Sequence, residues 1–160
     1  CPNDSICERV SQHLEQLNPE LVPCPAVNIV RGETRQWLQR ADAGLAASGT
    51  VTIEAAILGL PLVVVYRVNR FTFWLARMLV KIPYFTMVNL VVDDLVYEEF
   101  LQQDVNPETL GPAVEAIMRG GERREDVLNG ITRCVEALGM HHDICRNTAS
   151  AVLAVANDYR

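Results

Sequence analysis

Ser48, Gly49, Thr50 and Glu54 stand in one short run, AASGTVTIEAAILGLP over 46–61, and their types and spacing suit a phosphorylated sugar. A hydroxyl-glycine-hydroxyl triplet ahead of a helix leaves the first-turn N–H groups open. The partial positive charge there favours a phosphate or diphosphate. Gly49 lets the backbone turn tightly and come close to a ligand. Glu54, one turn in, can accept hydrogen bonds from sugar hydroxyls. The same residues also make an ordinary helix start, with Ser48 or Thr50 as the cap and Glu54 as a solvated acid.

Arg67, Arg70, Arg77 and Lys81 fall in a window without an acid. On a helix Arg70, Arg77 and Lys81 form one stripe with Trp74 beside it, and Phe71, Phe73, Leu75, Met78 and Leu79 make the remainder strongly apolar. Such a helix fits a membrane surface or an anionic lipid, and equally a core helix with surface cations. From 82 to 118 there is no Lys or Arg, while Asp93, Asp94, Glu98, Glu99, Asp104, Glu108 and Glu115 accumulate. Neighbouring acids on a helix point 100° apart, so these read as solvated faces. Cys134, His141, His142 and Cys145 invite zinc, but Cys-x6-His-His-x2-Cys is not a usual structural spacing and no metal is expected. His13 reads as a helix-surface residue, and the three His support no nucleophile-base-acid arrangement.

The flanking runs supply the frame. Residues 43–47 read as a short buried strand and 61–66 as a second, richer in β-branched residues. Upstream, Ser5 caps a helix over 5–17 with Ile6, Val10, Leu14 and Leu17 at helical spacing. Pro19, Pro23 and Pro25 mark a loop, 27–30 is a short strand, and Arg31-Gly32 turns the chain into a helix over 33–40 with Trp37 and Leu38 inward. Downstream, 88–92 reads as the last strand, with Asn89 at its start facing the cleft. Three apolar helical stripes follow: Leu110, Val114, Ile117 and Met118 after Pro107; Val127, Leu128, Ile131, Cys134, Val135 and Leu138; and Ala149, Val152, Leu153 and Ala156. Strands alternating with helices predict an α/β fold with a parallel sheet and right-handed crossovers.

Composition bounds the partners. The 160 residues are 49% hydrophobic and 21% charged, ordinary for a globular α/β chain. A net charge of −6 argues against a nucleic-acid footprint. The five cysteines include no CxxC pair, which favours a reduced cytosolic chain over a disulfide framework. The apolar stretch 60–66 is too short to span a bilayer, and no signal-peptide pattern opens the chain. With no initiator Met, the chain reads as a fragment.

The run ASGTVTIEAAILGLPLVVVYR resembles the donor-binding segment of two-domain nucleotide-sugar glycosyltransferases. Arg67, then FTFWLAR over 71–77, Leu79-Val80-Lys81, Val88-Asn89-Leu90 and EFLQ over 99–102 resemble, in order and spacing, the C-terminal half of the lipid-A-disaccharide synthase family. The likeness runs from about 42 to 138, and YR…FTFWLA is its most specific part. It implies a GT-B architecture, a partial Rossmann-like sheet with flanking helices, with 1–105 as an incomplete donor-binding domain and 106–160 as a C-terminal helical extension. The implied enzyme is an inverting hexosyltransferase moving 2,3-diacylglucosamine from its UDP donor to 2,3-diacylglucosamine 1-phosphate. Ser48, Gly49 and Thr50 would then hold the diphosphate, Glu54 the ribose, and Arg67 and Asn89 would line the cleft. In that family the position of Asn89 is an Asn within a Pro-Asn-Leu sequence, and Val88 stands here where the Pro would be.

The resemblance further places Arg70, Trp74, Arg77 and Lys81 near acyl chains or an anionic membrane surface, on the cytoplasmic face of the bacterial inner membrane. It implies no cofactor, no divalent metal, and a homodimer or domain contact through the C-terminal helices. The catalytic base is expected in an N-terminal half, so the segment alone is expected to be inactive. Two other readings remain. One is an undecaprenyl-linked N-acetylglucosamine transferase or UDP-N-acetylglucosamine 2-epimerase, which share the SGT/E element but lack the FTFWLA block. The other is a non-catalytic interaction module.

Overall fold

The computed structural model describes residues 4–16, 27–67 and 83–139, together with 149 and 153. Two compact units emerge, Cys1–Arg40 and Ala41–Arg160. In the first, α1 (Asp4–Gln16) starts where Ser5 predicts a helix, and α2 (Thr34–Arg40) follows two left-handed residues, Gly32 at φ 70° and Glu33 at φ 57°. Residues 27–30 form no strand, contrary to expectation, because a strand exists only within a ladder and neither ladder of the sheet includes them. Trp37 is 43% exposed rather than inward, and α2 has no buried residue. Two helical turns cannot enclose an indole by themselves. Leu17 and the three prolines lie outside the described residues.

The second unit holds β1 (Gly44–Ala47), α3 (Thr50–Ile57), β2 (Leu62–Tyr66), α4 (Met87–Val92), β3 (Glu98–Leu101), a 3-10 turn at Gln102–Asp104, α5 (Pro107–Ile117) and α6 (Arg124–Ala137). The sheet order is β1-β2-β3, with Gly44 opposite Leu62 and Val64 opposite Glu99, and both ladders are parallel. β1 is an edge strand, only half-buried, with Leu45 51% exposed. Its expected full burial fails because nothing pairs with its outer side among the described residues. A Cβ at Gly44 would meet Leu62 Cδ2 at 2.7 Å, so a larger residue here would have to push that side chain aside.

α3 stops where the sequence turns it. The Leu60 amide bonds the Ala55 carbonyl at 2.9 Å and the Gly59 amide bonds that of Ala56 at 3.0 Å, a Schellman closure around Gly59 at φ 73°. The chain then enters β2, where Leu62, Val63 and Val64 are all buried. Successive strand residues face opposite sides, so both faces of β2 are covered. α3 and α5 both pack against it, and α3, α4 and α6 pack on one another. Tyr97 is buried and donates its hydroxyl to the Leu60 carbonyl at 2.9 Å, tying the start of β2 to the start of β3.

The largest departure from expectation is at 88–92, which is helix α4 and not the last strand. The Thr86 hydroxyl accepts from the Asn89 amide at 3.3 Å and caps the helix, and Asp93 ends it in the left-handed region at φ 50°. The β-branched run suggested a strand, but capping and packing override so weak a preference. The third strand is instead the EEFL run of β3. As neighbours on a strand, Glu98 and Glu99 therefore point to opposite faces.

The acids of this stretch are not simply solvated faces. Glu98 pairs with Arg123, and Asp94 pairs with Arg133 at 2.6 Å, joining the end of α4 to α6. That hydrogen bond from Arg133, with one from the Leu95 amide, holds the Asp94 carboxyl below the usual carboxylate range.

Asn106 caps α5 by accepting from the Thr109 amide at 3.1 Å, with Pro107 in the first turn. α6 buries Val127, Gly130, Ile131 and Cys134. Both helices pack into the same unit as the sheet. Residues 149 and 153 are helical and exposed, and the rest of the third stripe lies outside the described residues.

Candidate functional site

Parallel strands end at one edge, and the three ends here gather chemically distinct groups. β1 runs into Ser48, Gly49 and Thr50; β2 into Tyr66 and Arg67; β3 into Gln102. Such an edge, outside the carboxyl ends of the strands, is where open α/β sheets bind ligands.

Ser48 continues the ladder, its amide bonding the Val65 carbonyl at 3.1 Å. Gly49 rather than Ser48 or Thr50 is the residue before the first helical turn, and no side chain caps α3. The cap expected from the two hydroxyls is absent, and Ser48 Oγ donates instead to the Phe85 carbonyl at 3.3 Å. The Thr52 amide bonds back to the Gly49 carbonyl at 3.1 Å, as does its hydroxyl at 2.8 Å. The amides of Thr50 and Val51, first in the helix, have no carbonyl a turn earlier to bond. Gly49 lies at φ 161°, extended backbone open to any residue, and an added Cβ would meet nothing within 4 Å. The space before the helix is therefore open, and neither the backbone nor the packing of the described residues demands a glycine.

Glu54 lies one turn beyond Thr50 on the same face of α3. It is half-buried, and its carboxylate makes no hydrogen bond or ion pair among the described residues. Arg67 follows β2 and is exposed. Tyr66 and Phe85, 39% and 37% exposed, stack at 6.4 Å between ring centroids with planes 17° apart. This aromatic shelf stands beside Ser48, whose hydroxyl reaches the Phe85 carbonyl.

Asn89 is placed differently from its expected role at the cleft. It is fully buried, and all four amide valences are used inside the fold. Nδ2 donates to the Tyr97 carbonyl and to Glu99 Oε1, both at 2.8 Å, while Oδ1 accepts from the Val96 and Tyr97 amides at 3.0 and 2.9 Å. Its side chain holds α4 to β3 and has no capacity left for a ligand.

Two residues escaped sequence reasoning. Gln102 follows β3 in the left-handed region at φ 52°, and its Nε2 is the one buried side-chain nitrogen or oxygen without a hydrogen-bond partner among the described residues. Both features are costly, and such strain concentrates at ligand edges. Glu99 accepts from the Phe85 and Thr86 amides, each at 2.8 Å, as well as from Asn89. Its position in the family-like EFLQ run was the only sequence signal for either.

Arg70, Trp74, Arg77 and Lys81 lie outside the described residues, as do His141, His142 and Cys145. Cys134 is buried in the apolar stripe of α6, and burial pushes its thiol pKa up. Among the described residues no group of His, Cys, Asp and Glu could hold a metal ion, and no helix is long and apolar enough to cross a membrane.

A three-stranded parallel sheet flanked by helices is the layer of a partial Rossmann-like domain of the GT-B kind. Residues 5–155 match the family model described as lipid-A-disaccharide synthetase, and the chain belongs to that family. It is 37% identical over 110 residues to the lipid-A-disaccharide synthase of Yersinia pseudotuberculosis, covering 69% of this chain and 28% of that protein. To the enzyme of the same name from Colwellia psychrerythraea it is 34% identical over 151 residues, 94% of this chain and 37% of that protein. That of Nitrosococcus oceani is 42% identical over 84 residues, 52% of this chain and 22% of that protein. The chain thus spans well under half the length of these bacterial relatives.

Proposed function

We propose that this chain is the donor-binding part of a lipid-A-disaccharide synthase, an inverting transferase that moves 2,3-diacylglucosamine from its UDP donor to 2,3-diacylglucosamine 1-phosphate and releases UDP. Family membership supports the reaction. The observation that carries the donor role is the open start of α3, where Gly49 clears space before the Thr50 and Val51 amides. A diphosphate there meets N–H donors and the helix dipole, and Arg67 adds a full charge at the neighbouring strand end. These groups would stabilise charge on UDP as it departs, without a metal ion.

Glu54 is proposed to hold the ribose hydroxyls, since its carboxylate has no partner among the described residues. Ser48 and the amide of Gln102 complete the polar groups of the edge. Arg70, Trp74, Arg77 and Lys81 are proposed to face acyl chains or the anionic surface of the inner membrane from the cytoplasmic side. The catalytic base is assigned to a part of the full-length protein beyond this chain, so the chain alone is expected to make no disaccharide. A homodimer contact through the C-terminal helices belongs to the same reading.

The test is calorimetric titration of UDP into the full-length protein with and without Glu54→Ala. Loss of a charged hydrogen-bond acceptor should weaken binding on the order of tenfold. Equal affinity would reduce Glu54 to a helix acid. Failure of the unaltered protein to bind UDP would overturn the donor role.

A further inference from the structure

Between Glu99 and Ser48 lies a single peptide plane. The Phe85 carbonyl and the Thr86 N–H belong to the same amide unit, and in a trans peptide they point in opposite directions. The Thr86 N–H donates to Glu99 Oε1 at 2.8 Å, while the Phe85 carbonyl accepts from Ser48 Oγ at 3.3 Å. The other Glu99 oxygen takes the Phe85 N–H at 2.8 Å, so the preceding amide is held from the same side. Glu99 itself is fixed by Asn89, whose saturated amide is anchored to Val96 and Tyr97.

We infer that Glu99 is a positioning residue for the donor edge: by holding the amides of 85 and 86 it aims the Phe85 carbonyl at Ser48 and so sets the direction of the Ser48 hydroxyl. The inference rests on the donor reading of that edge. It has a chemical consequence. With its proton turned toward Phe85, Ser48 offers lone pairs outward, which suit a hydroxyl or N–H of the nucleotide sugar, whereas phosphate oxygens are left to the Thr50 and Val51 amides. The Phe85 ring, fixed by the same two amides, keeps its place against Tyr66.

A neutral amide at 99 would turn one of its own N–H donors against those of 85, 86 or Asn89, releasing the plane while keeping the side chain's size. The experiment uses the full-length protein and a double-mutant cycle of Glu99→Gln and Ser48→Ala. Two readouts are taken: UDP affinity by calorimetry, and amide chemical shifts of Ser48, Gly49 and Thr50 without ligand. Glu99→Gln should weaken UDP on the order of tenfold and leave the KM for the acceptor unchanged. In the presence of Ser48→Ala the further loss should shrink to about twofold or less, because coupled residues are not additive. Ser48→Ala at its half-buried site carries the same test from the other end if Glu99→Gln does not fold.

Additive losses in the cycle, or unmoved amide shifts at 48–50, would overturn the positioning role. Should the shifts move in a protein that never binds UDP, the nucleotide reading falls and the positioning role stands. The two failures are thereby distinct.

Discussion

Asn89 and Arg67 were both expected to line a cleft, and the structure buries the first and exposes the second. Asn89→Ala strips partners from the Val96 and Tyr97 amides, the Tyr97 carbonyl and Glu99 in a buried setting, which should cost about 3 kcal/mol or more of stability. Arg67→Ala, at an exposed site, should change stability by about 0.5 kcal/mol or less while weakening UDP binding. Denaturant unfolding and nucleotide titration of both variants check the contrast. Gln102 belongs with Arg67: Gln102→Met removes an unsatisfied buried amide, so stability should hold or rise while donor affinity falls. A sequence displays Asn89 and Gln102 as amides alike. Only the count of hydrogen bonds around each separates a fold amide from an uncommitted one.

At the scale of elements, what could be read depended on whether the signal was local. α3 and α5 announce themselves through Gly59 and Pro107, each within a few residues of the helix end it marks, whereas Ser5, expected to cap α1, is its second residue. α4 and β3 do not, because a β-branched run became a helix and an acidic run became a strand. Both outcomes hang on partners distant in sequence: Thr86, Asn89 and Glu99 close one polar cluster, and Val63 to Tyr66 supply the ladder for β3. The close approach of α6 to the turn that precedes β3 is equally invisible locally. A Cβ at Gly130 would lie 2.6 Å from a methyl of Val96, so α6 approaches because that residue has no side chain. Gly130→Val should therefore destabilise the domain by about 1–3 kcal/mol, and adding Val96→Ala should recover part of the loss, measurable by thermal melts.

At the scale of the whole molecule, burial couples the fold to alkaline pH. Tyr97 has its phenol pKa raised by burial first and by the nearby Cys134 second, and Cys134 has its thiol raised by burial. Both stay neutral in the fold at pH values where the unfolded chain ionises. Their contribution is complete below the unfolded values of 9.0 and 10.0 and is lost as pH climbs toward the folded ones. Denaturation midpoints should fall as pH rises past about 9 and go on falling past about 10, and Cys134→Ala should remove the earlier part of that fall. The alternation of strands with helices predicted an α/β fold with a parallel sheet, and the parallel order of β1-β2-β3 bears this out. The same order gives β2 a protected place, with a ladder on each side and both faces covered. A deuterium atom from solvent can reach those backbone amides only when the sheet as a whole comes apart. In heavy water, β2 should be the last segment of the domain to gain mass, long after the amides of Thr50 and Val51 have exchanged.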